Sequence, residues 1–186
     1  EKQNKLFSKA KMAVRHHEYR CITYHYHEEE ILENIKCLKL VFMSNNWYLA
    51  IEDSAQTLRF LRFCFIKAIN YSKKNNSFQR CVLDRYVHFF HRLQNPMTLN
   101  IDPQTAYLRA SKHIAVYFRT SMKPFFPSQK FLRHNDDGSI DFSLAFTQNI
   151  EILPFIKQWQ PHLVVLSPDA LKEELLNDMR QSLDNH

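Results

Sequence analysis

Between residues 20 and 71 the chain alternates apolar and polar positions in short runs broken by polar turns. Side chains of a strand point to opposite faces in turn, so this period predicts strands. Five are expected, at 20–27, 35–43, 46–53, 57–63 and 64–71, each rich in aromatic or β-branched residues. Ser44-Asn45-Asn46 supplies a tight connection, because asparagine tolerates left-handed backbone geometry. Before them, Leu6, Ala10, Ala13, Val14 and His17 recur at helical spacing and predict a basic helix over 4–17. After them, Ser72-Lys73-Lys74-Asn75-Asn76-Ser77 is polar and reads as a linker. Residues 78–93 follow as a connecting helix with Phe78, Val82, Tyr86 and Phe89/Phe90 on one side, ended by Asn95-Pro96.

The second half carries a different order. Gln104–Ala110 reads as strand, Lys112–Phe118 as helix, and Gln129–His134 with Ile140–Phe146 as a hairpin around Asn135-Asp136-Asp137-Gly138. Asn149–Trp159 reads as helix, His162–Leu166 as strand, and Ser167-Pro168 as the cap of a final helix to about Leu183. The order βαββαβ is ferredoxin-like. The expected fold class is therefore α+β: a helix with a five-stranded Sm-like or SH3-type barrel, a linker helix, then a ferredoxin-like domain. Three segments are expected, 1–72, 73–95 and 96–186. The strand pattern alone also allows an OB-type barrel.

Composition narrows the chemistry. With 45% hydrophobic residues and 13% aromatics, the 186-residue chain can bury a sizeable core. The one glycine, Gly138, excludes glycine-rich phosphate loops and dinucleotide fingerprints, which need several. Net charge is +6; residues 1–80 hold 14 Lys/Arg against 8 Asp/Glu, and residues 81–186 hold 11 of each. The excess sits on the barrel-like half, as a solvated basic surface or as attraction for a polyanion or anionic ligand. Cys21, Cys37, Cys64 and Cys81 form no CxxC pair and read as buried free thiols of a reducing cytoplasm. No apolar run approaches membrane-spanning length and no signal peptide is visible, so no membrane partner is expected.

The densest candidate chemistry is in Asn46-Trp47-Tyr48-Leu49-Ala50 and Leu58-Arg59-Phe60-Leu61-Arg62-Phe63. Each face of the second strand carries an arginine beside large apolar groups. Guanidinium groups there suit an anion received between aromatic walls, since they stack and hydrogen-bond at once. The competing reading pairs them with Glu52, Asp53 or another surface carboxylate. Trp47 reads first as core packing, whereas Tyr48 and Tyr26 offer both a stacking face and a hydroxyl. His25 and His27 share a strand face with Cys21 and Thr23, but beside Glu28-Glu29-Glu30 a solvent face is the simpler reading than a metal site. No nucleophile–base pair or telling carboxylate pair stands out, so no catalytic residue, metal or cofactor is expected.

These strands resemble the WYL domain of bacterial transcription regulators, an Sm-like barrel named for the triplet found here at Trp47-Tyr48-Leu49. Its strand Phe-Arg-Leu-Asp-Arg-Ile is matched in both arginines by Leu58–Phe63, with Leu58 and Leu61 replacing its Phe and Asp. Ile22-Thr23-Tyr24-His25-Tyr26 is similar to its first strand, with Tyr26 at its tyrosine. Cys37 stands where the family has proline and Asn34 where it often has arginine. Asp137-Gly138-Ser139 and Val165–Leu171 resemble the WCX extension that often follows a WYL domain. The resemblance implies the sensing and dimerisation region of a cytoplasmic regulator rather than an enzyme. Its effector would be a nucleic acid or nucleotide-like anion, held by Arg59, Arg62, Tyr48, Tyr26 and Trp47. A winged helix-turn-helix that binds DNA usually precedes the barrel in the family. Here a single helix precedes the first strand, so either that segment lies outside this sequence or the protein acts without it. The alternative is a stand-alone accessory protein that binds single-stranded nucleic acid without operator recognition.

Overall fold

The computed structural model describes residues 2–74 and 77–185; Asn75 and Asn76 of the expected linker lie outside the described residues. The chain divides into two compact units, Glu1–His91 and Arg92–His186. Both are mixed α and β, each built on one antiparallel sheet.

The first unit opens with helix α1 (Lys2–Arg15), which buries Leu6, Ala10 and Ala13. Strands β1 (Tyr19–His25), β2 (Glu29–Met43), β3 (Asn46–Glu52), β4 (Leu58–Arg62) and β5 (Ile66–Tyr71) form a sheet in the order β4-β3-β2-β1-β5. Strands β4 and β5 are its edges, and the 3-10 turn Phe63–Phe65 joins them at the boundary between the expected strands 57–63 and 64–71. The sheet is not closed into a barrel by hydrogen bonds among the described residues. Strand β2 begins six residues before the expected start, because Thr23, Tyr24 and His25 pair with Ile31, Glu30 and Glu29. An acidic run carries no apolar alternation, yet pairing satisfies its backbone all the same. The β2–β3 turn places Ser44 and Asn45 at φ of 49° and 58°.

Alternation sends side chains of this sheet to two clusters. Ile22, Ile35, Leu49, Ile51, Leu61 and Ile69 pack under Leu6, Ala10 and Ala13 of α1. Leu38 and Ala50 face the other way and meet Phe78, Val82 and Tyr86. The expected helix over 78–93 is two short ones, α2 (Cys81–Asp84) and α3 (Val87–Arg92). Between them the amide of Tyr86 bonds the Leu83 carbonyl, three residues back rather than four. At this break the fully buried carboxylate of Glu52, at the end of β3, receives the Tyr86 hydroxyl at 2.7 Å and Arg85 at 2.9 Å, and also Lys36 of β2. Burial raises the proton affinity of Glu52, but hydrogen bonds from Lys36 and Tyr86 and the charges of Lys36 and Arg85 outweigh it and hold its pKa below the usual carboxylate range. The same burial and bond push the Tyr86 hydroxyl up to about 12.

The second unit contains β6 (Gln104–Ala110), β7 (Lys130–His134), β8 (Ile140–Phe146) and β9 (Leu163–Ser167) in the order β7-β8-β6-β9. Helices α4 (Leu153–Gln158) and α5 (Asp169–Asp184) contribute Leu153, Ile156, Leu171 and Leu175 to its core, where Phe118 stacks on Phe142 with ring centroids 4.7 Å apart. Two helices are shorter than the pattern suggests. Lys112–Phe118 reduces to the 3-10 turn Ala115–Phe118, and Asn149–Trp159 becomes the 3-10 turn Asn149–Glu151 followed by α4 with Pro154 in its first turn. Ser167 ends β9 instead of capping α5; Pro168 takes the N-cap position with extended backbone and gives no side-chain cap. Gly138 closes the β7–β8 turn at φ +82°, the left-handed region that glycine enters without strain.

Two further carboxylates are buried here. Asp141 of β8 takes Arg109 at 2.7 Å, Arg133 at 2.9 Å and Asn135 at 3.0 Å, which together hold its pKa well below the usual range against the opposing effect of burial. Glu151 accepts from Thr98, Gln94 and both the amide and hydroxyl of Thr147, and so ties residues 94–98 to the end of β8. Among the described residues no helix is long and apolar enough to cross a membrane. The four cysteines are free, but burial holds for Cys37 alone, whose thiol it pushes up to about 12; Cys64 and Cys81 are exposed, and Cys21 is intermediate.

Two stability effects follow. Tyr86→Phe leaves a buried carboxylate short of one donor and should cost about 1–3 kcal/mol in urea unfolding, and Glu52→Gln a similar amount. The double variant should cost less than the sum, because both changes remove one bond. Asp141→Asn should destabilise by about 1.5–3 kcal/mol at neutral pH. A depressed folded-state pKa gives stability that is present above the unfolded pKa of about 4 and is lost as pH falls toward the folded value. The gap between wild type and Asp141→Asn should therefore narrow below about pH 4, measured as melting temperature against pH.

Candidate nucleic-acid interface

Strand β4 is an edge strand, and its arginines leave it in opposite directions. Leu61, between them, is buried with Leu49 and Ile51 in the cluster under α1. Arg59 shares the face of Leu61. Its guanidinium donates two parallel hydrogen bonds to Glu30, Nη1 to Oε1 and Nη2 to Oε2, both 2.9 Å. Glu30 sits near the start of β2, two strands away in the sheet order, so the sheet curves enough to bring its β4 edge to the β1–β2 end. Tyr24, the partner of Glu30 in the β1–β2 register, feels the charge of Arg59 and a hydrogen bond from the Arg62 backbone. Burial outweighs both and leaves its hydroxyl pKa raised.

Arg62 leaves on the other face and takes a different environment. Its Nε and Nη2 donate to the side-chain oxygen of Asn46, at 3.1 and 2.7 Å. Its guanidinium carbon lies 5.6 Å from the centre of the Phe65 ring. Phe65 in turn packs against Tyr26 at 5.0 Å and Tyr24 at 6.2 Å, both edge to face. The 3-10 turn after Arg62 is what points Phe65 there, so a single aromatic group links the surroundings of both arginines. Tyr26 is 58% exposed and also touches His27 at 4.1 Å.

The other two expected contacts are placed apart from this group. Trp47 is 43% exposed and packs edge-on against Phe7 of α1 at 5.0 Å and tilted against Phe42 at 5.2 Å, as a surface cluster on the α1 side. Tyr48 pairs with Arg62 across the β3–β4 ladder but is 9% exposed and contributes mainly buried surface. The structure therefore gathers Arg59, Arg62 and Tyr26, with Tyr24, Phe65, Glu30 and Asn46 joining them. Phe65 hides in a run that reads as strand, and Glu30 in an acidic run that reads as solvent. Asn46 reads only as a turn residue. The one available signal was Tyr24, two residues before Tyr26, which lies just past the end of β1.

Electrostatically the two arginines are unequal. The Arg59 charge is neutralised by Glu30, whose carboxyl the Arg59 hydrogen bond holds below its usual range. Arg62 faces the neutral amide of Asn46, and among the described residues no carboxylate pairs with it. Concavities of about 450 Å³ between α1 and β2, and of about 360 Å³ beside β6, are lined by other residues. No group of three or more His, Cys, Asp or Glu able to hold a metal ion occurs among the described residues, at His25 and His27 or elsewhere.

A known protein shares this architecture. A solved structure described as a CRISPR Cas-related protein is similar over 99% of this chain and 51% of its own length, with a TM-score of 0.55 and 11% identity. At that identity the likeness is one of fold. Proteasome accessory factor B/C (PafBC) of Arthrobacter aurescens aligns over 93% of this chain and 26% of its own, with a TM-score of 0.38 and 15% identity. The chain thus spans about half of the first protein and about a quarter of the second. No curated protein matches the sequence. Residues 102–183, nearly all of the second unit, match the family model of the WCX domain.

Proposed function

We propose that this chain is the effector-sensing region of a WYL-type transcription regulator, with an Sm-like barrel in the first unit and a ferredoxin-like WCX domain in the second. Its effector is a single-stranded nucleic acid or a nucleotide-like anion. Three features support the reading. The five-stranded order with α1 over one face, and a curvature that carries Arg59 to Glu30, is what an Sm-like barrel requires. The order β7-β8-β6-β9 with antiparallel neighbours is what a ferredoxin-like domain requires. A match to the WCX model fits a partner domain that commonly follows WYL.

The observation that carries the ligand class is the setting of Arg62. It is a cation with no acidic partner among the described residues, steadied by Asn46 and lying over Phe65, beside an exposed Tyr26. Aromatic faces accept bases of any sequence while an adjacent guanidinium takes the phosphate. The net charge of +6, concentrated in residues 1–80, attracts such a strand from solution. Nothing in the group supplies a nucleophile and base together, so the reading is of binding rather than catalysis. Occupation of the site acts by favouring one of two states of a dimer, and through it DNA affinity.

Fluorescence anisotropy with labelled single-stranded oligonucleotides and cyclic nucleotides tests this. Affinity should fall steeply as salt rises, through counterion release. Arg62→Ala should weaken binding about tenfold or more, the scale of one hydrogen bond to a charged group, and Tyr26→Ala by a similar factor through lost stacking. Lys73→Ala, which removes an exposed and screened charge, should change affinity by no more than about threefold. Absence of binding at low salt across all these probes would sink the proposal.

A further inference from the structure

We infer that Glu30 is a resident competitor for the effector, occupying the Arg59 fork until a phosphate displaces it. This rests on the reading of the first unit as a nucleic-acid or nucleotide sensor. It assigns unequal tasks to the two arginines: Arg62 attracts and Arg59 selects.

The geometry of the Arg59–Glu30 pair is that of a bound oxyanion. Both carboxylate oxygens receive one terminal nitrogen each, at the same 2.9 Å. A phosphate offers the same two oxygens in one plane with at least equal charge, and it matches the guanidinium fork. The pair is also easy to open. The two side chains are 33% and 45% exposed, and exposed ion pairs contribute little net stability because water replaces each partner. A released Glu30 turns into solvent. A single hydrogen bond or a carbonyl oxygen cannot compete with a two-pronged carboxylate, so neutral ligands leave the pair closed.

Position makes the exchange productive. Glu30 lies opposite Tyr24 in the β1–β2 register, and Tyr24 feels both Arg59 and the backbone of Arg62. A phosphate in the place of Glu30 therefore sits beside an aromatic ring that already touches Phe65, which itself packs on Tyr26. Arg59 hydrogen bonding keeps Glu30 ionised, so the competitor is present throughout the neutral range. The neighbours Glu28 and Glu29 are exposed carboxylates that no arginine grips among the described residues, which makes them a matched control.

The test is a cycle of variants of the whole chain: Glu30→Gln and Glu29→Gln, each made alone and together with Arg59→Ala. The probe is a fluorescein-labelled single-stranded oligothymidylate at low salt. Glu30→Gln should tighten binding about two- to fivefold, which is the scale of an exposed ion pair, and Glu29→Gln by less than about twofold. In the Arg59→Ala background the additional gain from Glu30→Gln should vanish. If Glu30→Gln behaves like Glu29→Gln while wild type binds, the competitor role is wrong and the sensor reading stands. A gain that survives Arg59→Ala is a general charge effect and overturns it equally. If neither wild type nor Glu30→Gln binds, the sensor reading falls and this inference falls with it.

Discussion

Strand β2 pairs with β1 through Glu29–Lys36 and with β3 through Lys36–Met43, so one fifteen-residue strand serves two neighbours in turn. A register shift between Cys37 and Lys39 falls beside the changeover. Irregularities of this kind bend a strand and increase its twist. The bend has consequences across the first unit. It turns the sheet so that β4 approaches the start of β2, which lets Arg59 reach Glu30 and places Arg62 near the rings of β1. It also separates the two faces: one is filled under α1, and the other is left to Phe78, Val82 and Tyr86. The candidate interface is thus a product of sheet curvature, assembled from β1, β2, β4 and the turn after it.

Each unit also holds buried carboxylates, and they are satisfied in different ways. Glu52 is met by two cations and a phenol, and so fastens the α2–α3 segment to the sheet. Among the described residues Glu151 receives no cation; hydroxyls, an amide nitrogen and a backbone N–H complete it, and they tie residues 94–98 to β8. Burying a charge is costly unless every acceptor site is filled. Both sites meet that condition: Glu52 draws on Lys36, Arg85 and Tyr86, and Glu151 on the distant Gln94 and Thr98 together with nearby Thr147. Such groups act as fasteners between elements that apolar packing alone would leave free to slide.

The interface contrasts with these sites in one respect. Its arginines lie at the surface, and their partners are a mobile type of group: an exposed carboxylate for Arg59 and a side-chain amide for Arg62. Exchange with a ligand there costs little desolvation, whereas exchange at Glu52 would expose a core. The difference lies in the partner carboxylate, since Arg85 is itself exposed: its partner Glu52 is fully buried, whereas Glu30, the partner of Arg59, is 45% exposed.

Local pattern carried much of the architecture. Alternation gave β6 and β8 with their observed bounds, and the hairpin turn at Gly138, since those features depend on neighbours in sequence. The charge asymmetry and the two arginines of β4 were legible for the same reason. What tertiary structure alone decided were matters of distant pairing. The first six residues of β2 are strand because β1 lies beside them, although Glu28-Glu29-Glu30 shows no strand period. Residues 78–93 bend between α2 and α3 where Tyr86 meets Glu52, thirty-four positions away. Arg59 pairs with a surface carboxylate, as the competing reading allowed, but the partner is Glu30 because curvature brought β4 to a strand end that no one-dimensional spacing reveals. A sequence fixes which groups are available and which face of an element they occupy; which of them meet is set by how the sheet bends, and that depends on packing summed over the whole unit.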